Sequence, residues 1–153
     1  MLAAVALSDF RIAGANDSGH RRGRSLYFVR AAQISKLPRL TVAVQIHDRP
    51  TQFEGVPLSS VLSLAGILLG DALRGPRMSD VLAEGAVDGN KVAFALAETD
   101  PAFATREIIL ADMRDGKPLD TMERPLRVVA PGDKRPARWV RQVSSRELLR
   151  PVK

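Results

Sequence analysis

The 153-residue chain contains no cysteine, few aromatic residues and no long apolar run. Without cysteine, the chain cannot itself supply a disulfide, a thiolate metal ligand or a thiol nucleophile. No stretch approaches the ~20 consecutive apolar residues of a membrane-spanning helix, so we predict no membrane span. Aromatic residues make up 5% of the sequence, which predicts a core of aliphatic side chains. The length is typical of one globular domain.

Several well-known functional motifs are also missing. The sequence has no Walker-type phosphate loop, no G-x-G-x-x-G, no H-E-x-x-H and no G-x-S-x-G. Of the two histidines, His20 belongs to a polar, basic stretch and is expected to be exposed. His47 follows a predicted strand and therefore lies at a strand end, where binding sites often form. These absences leave the catalytic residues, if there are any, unassigned.

Charge is distributed unevenly along the chain. Residues 1–39 carry a net charge of +5, residues 40–123 carry −6, and residues 124–153 carry +7. The acidic middle can pair with the basic ends inside the fold or leave them as a solvated surface. The basic ends can also bind a phosphate-bearing ligand or an acidic partner. Nucleic acid is a less favoured partner, because the sequence has no nucleic-acid module and no aromatics interleaved with the cations.

The local patterns predict many short strands and few helices. Apolar residues alternate in 40–46, and Asp88-Gly89 is a strong hairpin signal. The other predicted strands are 26–30, 52–55, 80–87, 91–96, 106–112, 125–130 and 137–148. Helices are irregularly placed among these strands, which predicts an α+β fold with a mixed sheet.

Two helical segments and an N-terminal segment complete this interpretation. An apolar face at i, i+3, i+4 and i+7 begins at Leu58, with Pro57 in the first turn and Gly66 at the end. Residues 31–37 form one or two helical turns that end before Pro38. We predict a basic, partly mobile segment over 1–36 and a folded domain over 37–153. The apolar start of the chain does not make a complete export signal.

The most distinctive local feature is a cation-rich turn between two predicted strands. Residues 132–138 read GDKRPAR, and Trp139, the only tryptophan, follows directly. Backbone amides in a glycine-containing turn, together with arginine and lysine side chains, can hold phosphate or sulfate. Trp139 can pack under this turn or stack on a flat ring. On composition alone, a solvated surface turn beside a core tryptophan is the simpler interpretation.

Four sequence blocks, taken together, favour an anion-binding turn over a solvated surface turn. FEGVPLSSVLSLAG, VDGNKVAFALAETDPAF, IILADMRDGKPL and PLRVVAPGDKRPARWVRQV occur in this order and with similar spacing in one family. The chain thus resembles the sulfite oxidase-like molybdopterin-binding domain, in its small stand-alone bacterial form, over about residues 37–148. The resemblance implies an α+β fold with mixed sheets and a molybdenum bound to a pterin dithiolene with a phosphate tail. It also implies two-electron chemistry on small oxyanions or sulfoxides, and a periplasmic location.

The resemblance also suggests which residues hold the cofactor. The turn and its neighbours correspond to the family segment that contacts the pterin and its phosphate, and His47 and Arg49 are candidates across the pocket. The turn residues concerned are Gly132, Lys134, Arg135, Arg138 and Trp139.

Two departures from the family pattern bear on activity. Catalytic members carry a metal-binding cysteine just before the G-V-x-L block, and here that stretch reads LTVAVQIHDRPTQ. Where the family often has His-Gly, this chain has Met122-Glu123-Arg124, which brings a negative charge near any pterin.

The first hypothesis is therefore a domain that binds a pterin cofactor or related anion with weak or no redox catalysis. The alternative is a non-catalytic module that uses the same pocket for a small molecule or a partner subunit.

Overall fold

A computed structural model of the chain describes residues 10–14 and 25–151. In this described part, ten strands form two β-sheets, and two short α-helices lie between strands along the chain. The strands are β1 (Phe10–Gly14), β2 (Ser25–Val29), β3 (Leu40–Ile46), β4 (Arg49–Pro57), β5 (Val81–Ala86), β6 (Lys91–Ala95), β7 (Ile109–Arg114), β8 (Lys117–Pro118), β9 (Arg127–Val129) and β10 (Val143–Leu149). The helices are α1 (Ala31–Ile34) and α2 (Leu58–Leu64). No helix in this described part is long and apolar enough to cross a membrane.

The two sheets have different connectivity. Sheet A has the order β2-β1-β10-β5-β6, and sheet B has the order β3-β4-β7-β8, with β9 also paired to β7. Strand β1 runs parallel to β10, whereas its pairing with β2 is antiparallel, so sheet A is mixed. The predicted α+β architecture with a mixed sheet is confirmed.

Strands β3 and β4 form a closely paired hairpin. Their register runs from Leu40 opposite Gly55 to Ile46 opposite Arg49. His47 and Asp48 make the turn, with φ angles of 49° and 63°. Positive φ at both central residues is the geometry of a type I′ turn, one of the two favoured two-residue hairpin turns. The stretch that precedes the G-V-x-L block is therefore fully used in strand pairing, apart from this turn.

Gly55 shows why the block before α2 needs a glycine. A Cβ atom at this position would lie 1.9 Å from the carbonyl oxygen of Leu110 on β7. The register between β4 and β7 also shifts between Glu54 and Gly55. Because the colliding atom belongs to the backbone, a side chain here would force the two strands apart.

Most predicted elements are confirmed, but the last strand begins later than predicted. Helix α2 and the hairpin across Asp88-Gly89 occur as expected. The strand predicted from residue 137 is wrong over its first part, since β10 begins only at Val143. Residues Pro136–Arg138 instead form a 3-10 turn, which suits the fixed φ of proline, and Trp139 lies in the irregular segment that follows. The strand predicted from residue 106 also begins later, at Ile109.

The N-terminal strands lie inside the predicted basic segment. Phe10 and Ile12 of β1 are buried, and β1 pairs with β10. The polar, basic stretch around His20 and the apolar start of the chain lie outside the described residues. The domain boundary after residue 36 stays a prediction.

Candidate functional site

Two cavities lie on either side of Trp139. The first, here called the lysine cavity, has a volume of about 630 Å³ and includes Arg106, Asp115, Asp133 and Lys134 in its lining. The second, the arginine cavity, has a volume of about 500 Å³ and includes His47, Arg114, Glu123, Arg127 and Arg141. Trp139 is 4% exposed and lines both. Its indole Nε1–H is buried and has no acceptor among the described residues.

The arginine cavity contains a compact ion cluster. One oxygen of Glu123, Oε1, accepts a hydrogen bond from Arg127 Nη1 at 2.6 Å and from Arg114 Nη1 at 3.0 Å. Glu123 lies in the turn before β9, Arg127 begins β9, and Arg114 ends β7. Because β9 pairs with β7, the sheet brings the two guanidinium groups to the same carboxylate. Two cations thus converge on a single anionic atom.

The ring of Phe53 orders the two arginines. The guanidinium carbons of Arg127 and Arg114 lie 5.3 Å and 5.5 Å from the centre of this ring, and Phe53 is fully buried. A cation above an aromatic face is attracted to it. Arg127 also donates from Nε to the carbonyl oxygen of Trp139 at 3.4 Å. Burial lowers the pKa of Arg127, but a guanidinium remains charged at physiological pH. The charges are therefore in position before any ligand arrives.

The local fold around the cavity explains this placement. His47 reaches the cavity from the β3–β4 turn. The Asp120 carboxylate accepts a hydrogen bond from the backbone N–H of Met122 at 2.9 Å, as an aspartate in a turn commonly does. The backbone N–H of Gln142 donates to the carbonyl oxygen of Glu123 at 3.0 Å, which ties the Glu123 turn to the segment before β10. The cavity is thus walled by segments that are distant in sequence.

The residues predicted to hold the cofactor, from the cation-rich turn and from across the pocket, lie in different places in the structure. Lys134 lines the lysine cavity, His47 lines the arginine cavity, and Trp139 lines both. Among the described residues, Gly132, Arg135 and Arg49 line neither of these two cavities. Their assignment as cofactor-binding residues stays a prediction.

Arg138 is engaged inside the protein. Its Nη2 atom lies 2.8 Å from Asp133 and 3.1 Å from Glu98, and its Nη1 atom donates to the carbonyl oxygen of Ala93 at 3.0 Å. Its guanidinium carbon also lies 4.3 Å from the centre of the Phe94 ring. These hydrogen bonds raise the pKa of Arg138, and they lower the pKa of Glu98. The charge of Arg138 is therefore compensated by two carboxylates, and its role in cofactor binding also stays a prediction.

Sequence reasoning missed the arginine pair. Arg127 stands in an otherwise apolar strand, and an arginine in such a strand is a signal for a buried, paired charge. Arg114 had no comparable signal, because it precedes an Asp-Gly turn and suits an exposed strand end equally well. Glu123 was recognised only as a departure from the family pattern. Its role as the shared partner of both arginines depends on the pairing of β7 with β9.

A molybdenum centre of the family type does not fit the residues present. The sequence supplies no thiolate, and the described residues contain no cluster of three or more carboxylate or histidine side chains suited to a metal ion. The stretch where catalytic members carry their cysteine is the β3–β4 hairpin, which turns in two residues.

The fold is that of the sulfite oxidase-like molybdopterin-binding class. The sequence model of the family described as "Oxidoreductase molybdopterin binding domain" matches residues 30–150, and the chain belongs to this family. No curated protein sequence matches the chain significantly.

Among solved structures, the chain is similar to the crystal structure of the sulfane dehydrogenase SoxCD from Paracoccus pantotrophus. The TM-score is 0.66 at 19% identity, and the alignment covers 99% of this chain and 40% of the other. The chain thus spans less than half the length of that protein, and the likeness supports the fold alone.

Proposed function

We propose that the arginine cavity binds a pterin cofactor of the family type or a related small anion, without thiolate-supported redox catalysis. The observation that carries this proposal is the pair Arg114 and Arg127, ordered on Phe53 and directed at one point. Paired guanidinium groups suit phosphate and carboxylate oxygens, because each planar fork can donate two parallel hydrogen bonds. The cavity volume of about 500 Å³ lies in the range of small-molecule sites.

The position of Trp139 is an argument for a flat ligand. Trp139 forms one wall of the cavity, and its buried indole N–H has no acceptor among the described residues. A buried donor without an acceptor is unfavourable in a folded protein. A ligand with acceptors along its edge would relieve this, and a pterin has such an edge.

The proposal of weak or absent redox catalysis depends on the missing thiolate. A thiolate fixes the metal and tunes its potential, and imidazole or carboxylate groups are not equivalent ligands. His47 and Asp48, which occupy the turn, are exposed. Family membership alone does not give an activity, because one fold supports many functions.

The direct test is molybdenum and pterin content. The chain would be purified from a host that makes the cofactor, and molybdenum would be measured by elemental analysis and pterin by fluorescence after acid release. We expect pterin to be present in the wild type and reduced in Arg127→Gln. Arg74→Gln serves as the control, because this exposed cation lines neither cavity and is not a candidate binding residue. Both variants must retain the wild-type circular dichroism spectrum.

The outcomes separate the two hypotheses. Stoichiometric molybdenum with pterin would show that the domain holds the complete cofactor without cysteine and would contradict our proposal for the metal. The absence of pterin from the wild type would contradict the proposal for the ligand and favour another small molecule or a protein partner. Oligonucleotide binding that falls steeply with salt would indicate nucleic acid instead.

A further inference from the structure

We infer that Glu123 is an internal competitor of the ligand, occupying the position between Arg114 and Arg127 where an anionic ligand group would bind. This inference rests on the proposed function and concerns what controls that same site. Glu123 Oε1 lies within hydrogen-bond distance of both guanidinium groups, as a phosphate or carboxylate oxygen of a ligand would. An external anion must therefore displace this carboxylate before it can bridge the two arginines.

The charge balance of the cavity agrees with this role. Three arginines and three carboxylates line it: Arg114, Arg127, Arg141, Asp88, Asp120 and Glu123. An incoming phosphate is thus attracted by the arginines and repelled by an equal number of acidic side chains. Removing the charge of Glu123 gives these six residues a net charge of +1 and leaves the two guanidinium groups of the pair without their shared carboxylate.

The position of Glu123 is held by its backbone as well as by its carboxylate. Its backbone N–H donates to the carbonyl oxygen of Asp120 at 3.1 Å, and its carbonyl oxygen accepts from the N–H of Gln142 at 3.0 Å. Glu123 is 3% exposed, and Arg127 is 8% exposed. Hydrogen bonds between charged groups strengthen as water is excluded from them. Glu123 is therefore a strong competitor, which predicts that the wild type binds inorganic phosphate, an anion without further contacts, only weakly.

The test uses inorganic phosphate as the probe and isothermal titration calorimetry as the readout. Three proteins are compared: the wild type, Glu123→Gln and Asp120→Asn. The glutamine has the shape of glutamate and removes only the charge. Asp120→Asn removes a negative charge from the same cavity wall without touching the arginine pair. We expect phosphate to bind Glu123→Gln about tenfold more tightly than the wild type, because the arginines gain a free anion position.

The expected control result is an affinity for Asp120→Asn close to that of the wild type. Equal phosphate affinities of the wild type and Glu123→Gln would overturn the inference. It would also be overturned if Asp120→Asn gained as much phosphate affinity as Glu123→Gln, because the gain would then reflect the total charge of the cavity. A fourth protein, the double variant Arg114→Gln with Glu123→Gln, is titrated in the same way. The gain in phosphate affinity should be lost in this protein if the gain arises at the arginine pair.

Removing one charge from a buried cluster can impair folding. A second pair of variants covers that case: Arg127→Gln alone, and Arg127→Gln combined with Glu123→Gln, which removes a cation with its partner. The double variant should bind phosphate more tightly than the single variant through the released Arg114, and no difference would again overturn the inference. The phosphate titrations do not depend on whether the purified wild type contains pterin. The proposed function can therefore fail in the pterin measurement while this inference holds, and the reverse is also possible.

Discussion

A buried glutamate meets arginine beside sheet B and within sheet A, and the two sites differ in their surroundings. In sheet B, Glu123 is shared by Arg127 and Arg114 beside a cavity. In sheet A, Glu84 on β5 lies directly opposite Arg146 on β10, at 3.4 Å from Nε to Oε2. The second oxygen of Glu84 is buried and has no partner among the described residues. The guanidinium carbon of Arg146 lies 3.6 Å from the centre of the Phe10 ring.

This comparison shows that surroundings decide what a buried ion pair does. Glu84 is fully buried and has one distant partner, so burial raises its pKa to about 7 against the pull of Arg146. The pair in sheet A is thus closed to ligands but sensitive to protons. The cluster in sheet B has a surplus cation and borders a cavity, so it is a candidate for ligand binding. The same residue types therefore form a closed pair in sheet A and a cavity-lining cluster beside sheet B.

The largest effect is expected from breaking the cluster in sheet B. Arg127→Met leaves the buried Glu123 carboxylate with only the more exposed Arg114, and the loss of a buried ionic partner costs about 4 kcal/mol. Urea denaturation followed by circular dichroism measures this change. Arg141→Met, at an exposed position of the same cavity, is the control and should change stability little. A loss below about 1 kcal/mol in Arg127→Met would mean that the cluster is not a stabilising unit.

The pair in sheet A predicts a pH dependence of stability near neutrality. Because the pKa of Glu84 is raised from 4.5 to about 7, the folded state keeps a proton that the unfolded chain releases. The stabilising contribution is present in full below pH 4.5 and is lost as the pH rises to about 7. This difference in pKa corresponds to about 3 kcal/mol.

Glu84→Gln isolates this contribution, because its side chain cannot ionise. The difference in unfolding free energy between the wild type and Glu84→Gln should change across pH 4.5 to 7 and level off above it. Parallel pH profiles for the two proteins would show that Glu84 titrates normally in the folded state and that the pair in sheet A resembles an ordinary surface pair.

The smallest effect is expected at Arg138, whose cluster is partly exposed. Its side chain is 32% exposed and that of Glu98 is 43% exposed, so Arg138→Gln should lower stability by about 1 kcal/mol or less. Arg138 lowers the pKa of Glu98, and this contribution is present above the ordinary pKa and disappears as the pH falls. A titration of Glu98 by NMR should show its pKa rising in Arg138→Gln. An unchanged pKa would mean that the two side chains do not pair in solution.

Local patterns predicted the elements that depend on neighbouring residues. The alternation in 40–46, the apolar face from Leu58 and the Asp88-Gly89 turn gave the correct elements, because backbone geometry and short-range periodicity determine them. The strand predicted over 137–142 was wrong. Pro136 begins a 3-10 turn and Gln142 has a positive φ, and neither conformation continues a strand. The candidate site was only partly predictable: Lys134, His47 and Trp139 line cavities, whereas the arginine pair was not foreseen.

The sequence by itself determined the family, the absence of a thiolate and the order of the short strands. These follow from residue identities and from spacing along the chain. Only the tertiary structure decided which charges meet. The pairing of β9 with β7 places Arg127 and Arg114 on one carboxylate, and the pairing of β10 with β5 places Arg146 opposite Glu84. Such contacts join residues up to 62 positions apart, and their energies depend on burial and on neighbouring charges, which the chain acquires only when it folds.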